Sequence, residues 1–143
     1  MLGAMVQYMK VFRTHWWSVQ LPENWEAEQD DVCVTFTSNS SSGTLQVSAA
    51  QNSNGPVTDE DLLEFAEEHL EAGVKPHNIL AGNFRGFYIR YSDDEFYYKN
   101  WWLRNDNTVV FITYTTDIEQ CGQDDTVIEQ IVNSLVTVSG SNA

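Results

Sequence analysis

Apolar residues occupy both faces of the stretch 95–116, EFYYKNWWLRNDNTVVFITYTT, the densest aromatic and β-branched run in the chain. Strand residues alternate between the two faces of a sheet, so a strand wet on one side alternates apolar with polar residues. This stretch has aromatic residues at even positions, such as Trp102, and at odd ones, such as Trp101. Residues 105–107, NDN, favour a tight turn. The pattern predicts an antiparallel hairpin with helices on both sides of its sheet.

Shorter alternating runs predict further strands. They span residues 15–21, 31–37, 44–50 and 79–91. Pro22 ends the first of them, because proline cannot donate to a strand ladder. Gly82 and Gly86 interrupt the last one, where we expect a bulge, a bend or a tight turn.

Two amphipathic helices are predicted. The first lies between Thr58, an N-cap residue with Asp61 three positions on, and Gly73, which ends it. At 100° per residue its apolar face comprises Leu62, Phe65, Ala66, His69 and Leu70. The second spans about residues 126–136, with Asp125 or Thr126 as its cap.

The elements follow the order three strands, helix, three strands, helix. We predict an α+β fold: a single α/β/α sandwich with an antiparallel-rich sheet of about six strands in βββα-βββα order and helices on both faces. At 143 residues the chain fits one domain, predicted at residues 14–137. Residues 1–13 are predicted as an N-terminal arm that is disordered, tag-derived or an edge strand, and residues 138–143 as a frayed tail.

The outer face of the first predicted helix is acidic. It carries the glutamates Glu60, Glu64, Glu67, Glu68 and Glu71. The seven acids from Asp59 to Glu71 have no base among them, so they forgo every i to i+4 ion pair and repel one another. Between Thr14 and Val74 there are twelve acids and no lysine or arginine. Two interpretations follow, a solvated face that maintains solubility and a surface that docks a basic protein partner.

Charge and composition exclude several functions. The net charge of −14 argues against nucleic acid, because phosphate contacts need clustered cations. The first 13 residues lack the apolar segment of a secretory signal, and no run approaches the roughly 20 apolar residues that cross a bilayer. We therefore expect a soluble, cytoplasmic protein without membrane insertion. Cys33 and Cys121 fit neither a redox pair nor a zinc cluster, which leaves two unlinked thiols or one disulfide.

The sequence contains no catalytic, cofactor or metal motif. Of the three histidines, His15, His69 and His77, we expect His69 to lie in the core or at its rim. No GxSxG string occurs, and the paired carboxylates lie in predicted turns and caps. We expect a non-enzymatic protein without cofactor or bound metal. Alternatively, Trp16 and Trp25 line an aromatic cleft for a small apolar ligand or lipid.

Several strings carry a family resemblance. They are WWSVQLPENW near the start, GTLQVSA in the third strand, NFRGFYIRY, VVFITYTT in the last strand and VIEQIVNSLV in the last helix. With the element order, they resemble the PsbP-like family, which groups photosystem oxygen-evolving subunits with the Ran-binding Mog proteins and small bacterial relatives. The resemblance covers residues 14–137. It implies an α/β/α sandwich whose members mostly bind other proteins and share no catalytic residues, so no site residue is carried over.

The acidic helix face and the resemblance agree on one function. We expect a non-enzymatic bacterial protein-binding domain that docks a basic partner through this face, as an adaptor or as a toxin-immunity protein. The alternative is a carrier of a small apolar ligand or lipid that uses the aromatic cleft.

Overall fold

A computed structural model describes residues 9–138. Within this range the strands are β1 (Met9–Arg13), β2 (Trp17–Pro22), β3 (Trp25–Gln29), β4 (Val34–Ser38), β5 (Thr44–Gln51), β6 (His77–Ala81), β7 (Phe84–Ser92), β8 (Phe96–Asn105), β9 (Thr108–Asp117) and β10 (Val136–Thr137). The helices are α1 (Asp59–Phe65), α2 (Glu67–Glu71) and α3 (Asp125–Asn133). Residues 1–8 of the predicted arm and 139–143 of the predicted tail lie outside the described range.

The strands form two sheets, and the neighbours in both are antiparallel. The main sheet has the order β3-β4-β5-β9-β8-β7-β6, and the small sheet has the order β1-β2-β10. The predicted central hairpin is β8 and β9, joined by a two-residue turn in which Asp106 adopts a positive φ of 49°. The predicted α+β class is confirmed.

The sheets contain more strands than the single sheet of about six that the sequence predicts. The sequence does not predict β3, because only its first residue is buried and its five residues, WEAEQ, include just two apolar ones. Residues 9–13 of the predicted arm form β1, an edge strand of the small sheet. β10 has only two residues, too few to carry a periodic pattern.

Apolar side chains cover both faces of the main sheet. Trp101 belongs to a large buried cluster that includes Leu21 of β2 and Ile131 of α3. Its neighbour Trp102 belongs to a second cluster on the other face, with Leu62 of α1. Because consecutive strand residues point to opposite faces, α1 covers one side of β8 while α3 and β2 cover the other.

The predicted first helix is divided into α1 and α2 at Ala66. Thr58 and Asp61 form a capping box: the hydroxyl of Thr58 accepts from the backbone N–H of Asp61, whose carboxylate accepts from that of Thr58. Ala66 is fully buried, and its φ of −98° and ψ of 7° interrupt the helical geometry. The helix therefore divides at a residue that is buried in the same cluster as Trp102 of the sheet.

The apolar face of the helix is covered unevenly. Leu62 and Ala66 are fully buried, whereas Phe65, which the sequence places on the apolar face, is 53% exposed. Its ring rests edge-on against Phe111 of β9, with the ring centroids 5.3 Å apart. Leu63 is also 44% exposed. Phe65 and Leu62 both lie within α1, and Phe65 projects about 60° to the side of Leu62 that faces away from Ala66, so it stands at the margin of the apolar face.

The β6–β7 turn is fastened to the segment that follows α3. The backbone N–H of Asn83 donates to the carbonyl oxygen of Leu135 (3.3 Å). The Asn83 side chain donates to the hydroxyl of Thr137 (2.9 Å) and accepts from the Thr137 backbone N–H (3.0 Å). Gly82 adopts a φ of +60° in this turn and lies directly against the Leu135 carbonyl. These contacts join the main sheet to β10 of the small sheet.

Candidate functional site

The acidic stripe, defined as Glu60, Glu64, Glu67, Glu68 and Glu71, lies on the outer side of α1 and α2. All five side chains are exposed, as the sequence predicts. Among residues 9–138 the ion pairs are Lys99–Glu129 and Arg104–Asp59, so no stripe glutamate is paired there. Glutamates at i and i+4 within the stripe repel one another and cost a few tenths of a kcal/mol per pair, about 0.2–0.5. The stripe therefore concentrates negative charge that no ion pair within residues 9–138 neutralises.

Half-exposed apolar side chains flank the stripe. Leu63 and Phe65 lie on either side of Glu64, because consecutive helical residues are 100° apart. Phe65 borders a groove of 320 Å³ that Val57, Val109 and the end of β5 also line. The outer face of the helix therefore combines negative charge with apolar surface.

Asp59 is anchored to the sheet instead of facing a partner. Arg104 of β8 donates from Nε to Oδ1 of Asp59 at 2.7 Å. This hydrogen bond holds the pKa of Asp59 below its usual range, and the nearby charges of Arg104 and Arg85 act in the same direction, while slight burial opposes them. The pair fixes the start of α1 over β8 and thereby positions the stripe.

The two tryptophans of the predicted aromatic cleft are not brought together. Trp16 is 38% exposed and lines a groove of 300 Å³ beside the exposed Val32. Trp25 is 2% exposed and belongs to the large buried cluster at the start of β3. A ligand cleft would therefore have to use Trp16 without Trp25, and the small-ligand alternative stays a prediction.

A buried lysine outside the sequence-predicted sites lines another groove. Lys99 of β8 is 5% exposed, and its Nζ sits 4.3 Å from the ring centroid of Tyr88 and 5.2 Å from that of Trp101. Its nearest carboxylate oxygen, on Glu129 of α3, is 3.9 Å away, beyond hydrogen-bonding distance. These groups line a groove of 350 Å³ together with residues of β6. Lys99 is a nearly buried cation whose main contacts are aromatic faces.

Replacing Lys99 with methionine is expected to raise the free energy of unfolding at neutral pH by about 1 kcal/mol, because methionine fills a similar volume without a buried charge. Burial lowers the pKa of Lys99, opposed by Glu129 and Asp125 and assisted by Arg90. The free-energy cost of burying protonated Lys99 is thus fully present below the lowered pKa of the folded protein. This cost is lost as the pH rises towards 10.5, the ordinary pKa of lysine. Urea unfolding at pH 7 and at alkaline pH measures the difference, which should shrink with rising pH.

The Lys99→Met comparison has internal controls. Groups distant from Lys99 titrate alike in both proteins, so the difference between the two pH profiles isolates Lys99 and the charges that interact with it, Glu129, Asp125 and Arg90. A variant that is less stable by more than 1 kcal/mol at both pH values would contradict the expectation, because it would mean that the aromatic contacts outweigh the cost of burying the charge.

A second polar cluster has a structural role. The hydroxyl of Tyr114 donates to Oδ2 of Asp124 (2.8 Å), and Ser41 donates to the same oxygen. Burial, followed by the hydrogen bond to Asp124, raises the pKa of Tyr114 strongly. The cluster ties the start of α3 to β9 and to the β4–β5 loop.

The histidines and cysteines do not form a shared centre. His69 is half-buried, with Nε2 3.4 Å from the hydroxyl of Tyr91, in keeping with the rim position expected from the sequence. Cys33 is half-buried and Cys121 is exposed, and both are free thiols. In the part of the chain that the structure describes, no three histidine, cysteine or acidic side chains converge as they would around a metal ion. No helix in that part has the length and apolar character needed to cross a membrane.

Comparison with known proteins identifies the fold. No family model matches the chain, and no curated protein is similar to it in sequence. Among solved structures, cyanobacterial PsbP (CyanoP) from Synechocystis sp. PCC 6803 is similar, with a TM-score of 0.65 at 11% identity over 96% of this chain and 97% of that one. The fold is therefore PsbP-like.

Two further structures share the fold. A protein of Bacteroides thetaiotaomicron VPI-5482 has a TM-score of 0.69 at 14% identity over 87% of this chain, which spans only 46% of that protein. LpqN of Mycobacterium tuberculosis, a protein involved in cell envelope biogenesis, has a TM-score of 0.51 at 12% identity, with 86% and 83% of the two chains covered. At these identities the likeness concerns the fold alone.

Proposed function

We propose that this protein, whose fold is PsbP-like, is a non-enzymatic protein-binding domain that docks a basic partner on the outer face of α1 and α2. The observation that supports the proposal is the acidic stripe, exposed and unpaired within residues 9–138, between the half-exposed Leu63 and Phe65. Leu63 and Phe65, 44% and 53% exposed on the same helix, add apolar surface beside the charge. Charge and apolar surface together are the composition of a docking face.

The same features define the partner's chemistry. Lysine or arginine side chains would meet the stripe, and an apolar side chain would enter the groove beside Phe65. The negative field accelerates association with a cationic surface, and the apolar anchor slows dissociation. A bacterial adaptor, or an immunity protein that covers a basic toxin in the cytoplasm, uses such a surface.

Reversing Glu64, Glu67, Glu68 and Glu71 to lysine is expected to weaken a complex with the basic partner at least tenfold, about 1.4 kcal/mol, because attraction becomes repulsion at four exposed positions. Folding should be preserved, since these side chains are exposed. Affinity purification from the native host, with bound proteins quantified by mass spectrometry, measures the change.

The matched control changes net charge equally on another face. Reversing Glu23, Glu26, Glu28 and Asp31, all exposed and close to β3, gives the same shift in total charge. The control variant should still bind the basic partner, whereas the stripe variant should bind it at least tenfold more weakly. Retention by both variants, or equal loss from both, would refute docking on the stripe.

A further inference from the structure

The strand β6 has a free edge. It ends the main sheet, and within the described chain it pairs only with β7. Ala81 and Phe84 flank the two-residue turn and form a hydrogen-bonded pair, so hydrogen-bonded and non-hydrogen-bonded pairs alternate from there. Asn78 and Leu80 fall in non-hydrogen-bonded pairs, which directs their backbone N–H and C=O groups away from β7. The edge therefore offers two donors and two acceptors to another strand.

A groove lies on each side of this edge. On the α1 side a groove of 460 Å³ is lined by Leu63, Phe87 and Arg85. On the α3 side is the 350 Å³ groove that contains Lys99. Both grooves include residues 78–80 of β6, and Leu80 is 71% exposed between them. The side chains of a strand added to β6 would alternate between these two grooves.

The two grooves differ in chemistry. The α1-side groove is lined by the apolar Leu63, Leu80 and Phe87, with Asp59, Asn78 and Arg85 as its polar residues. The α3-side groove ends at the Lys99 ammonium, which is nine-tenths buried and forms no hydrogen bond among the described residues. A carboxylate from outside would supply the charge-assisted hydrogen bond that Glu129 is too distant to make. The occupant is therefore apolar on one face and acidic on the other.

We propose that the free edge of β6 is a second docking surface, which receives an extended peptide segment of a partner protein by strand addition, with apolar side chains in the α1-side groove and a carboxylate on Lys99. Backbone hydrogen bonds to Asn78 and Leu80 supply affinity, and the two grooves supply selectivity. This surface goes beyond the proposed function, because its occupant carries negative charge where the acidic stripe selects positive charge.

The probe is the peptide acetyl-Thr-Val-Glu-Val-Thr-amide, which places both valines on one face and the glutamate on the other. Titration into ¹⁵N-labelled protein should shift the amide signals of Asn78 and Leu80 most strongly. A peptide with lysine in place of the glutamate, and the variant Lys99→Met with the original peptide, should each bind at least tenfold more weakly. With the valines in the α1-side groove, a peptide N-methylated at both valines should lose most of its affinity if it pairs antiparallel to β6, and one N-methylated at both threonines should lose it if the pairing is parallel.

Three results would overturn the proposal. One is the absence of shifts at Asn78 and Leu80 at millimolar peptide. Another is equal affinity for the glutamate and lysine peptides. The third is self-association of the protein through β6 in sedimentation, unaffected by peptide, which would make a second copy the occupant. The four-lysine stripe variant should keep the peptide affinity of the wild type, so this surface and the proposed function fail or succeed separately.

Discussion

Replacing Trp101 with alanine is expected to lower the free energy of unfolding by about 3–5 kcal/mol. Trp101 lies in β8, near the middle of the main sheet, and is 1% exposed in the cluster that α3 and β2 cover. The deletion leaves a cavity of nearly a whole indole ring, which strands held by backbone hydrogen bonds cannot close. Urea unfolding followed by circular dichroism measures the loss from the transition midpoint and slope.

The control for this prediction is Trp16→Ala, which removes the same side chain from a groove on the surface. Trp16 is 38% exposed, so the lost burial is smaller and we expect a cost below about 2 kcal/mol. Equal losses for the two variants would contradict the assignment of Trp101 to the centre of the core.

Replacing Gly82 with alanine is expected to destabilise the protein by about 3 kcal/mol or more. An L-residue at a φ of +60° costs about 1–2 kcal/mol. The added methyl group would also overlap the carbonyl oxygen of Leu135, and overpacking of this kind costs a further 1–3 kcal/mol or so. Thermal unfolding gives the change, which should appear as a lower Tm with loss of the contacts between Asn83 and Thr137.

Two other glycines separate these causes. Gly122 has a φ of +86° and open space around its Cβ position, so Gly122→Ala measures the backbone cost alone, about 1 kcal/mol. Gly86 has no positive φ, but a methyl group there would overlap the carbonyl oxygen of Trp102, so Gly86→Ala measures overlap alone. If Gly82→Ala cost no more than Gly122→Ala, the close approach to Leu135 would be refuted.

Long periodic elements could be predicted from the sequence, and short or exposed ones could not. β8 and β9 carry ten residues each, apolar on both faces, and their pattern specifies both a hairpin and a covered sheet. β3 lies at an edge with four of its five residues exposed, so burial does not constrain its side chains. The division of the first helix at Ala66, a residue buried against the sheet, has no counterpart in the local sequence pattern.

The candidate sites divide in the same way. Exposure of the acidic stripe follows from helical geometry and charge, whereas the Phe65 groove depends on how the helix sits against β9. Lys99 could have been found, because it shares the odd-numbered face of β8 with Tyr97, Trp101 and Leu103, and a lysine in such a row is a buried charge. The free edge of β6 could not, because the order of strands in a sheet is not encoded in the periodicity of any one strand.

The strand order of the main sheet has a consequence for the acidic stripe. Every pairing in this sheet joins consecutive strands except that of β5 with β9, so the sheet consists of two meanders, β3-β4-β5 and β6-β7-β8-β9, that meet along one seam. The segment from residue 52 to 76 is the covalent bridge between the meanders, and α1 and α2 are its only regular structure. A partner bound to the acidic stripe would therefore contact the segment that connects the two meanders across the pairing of β5 with β9.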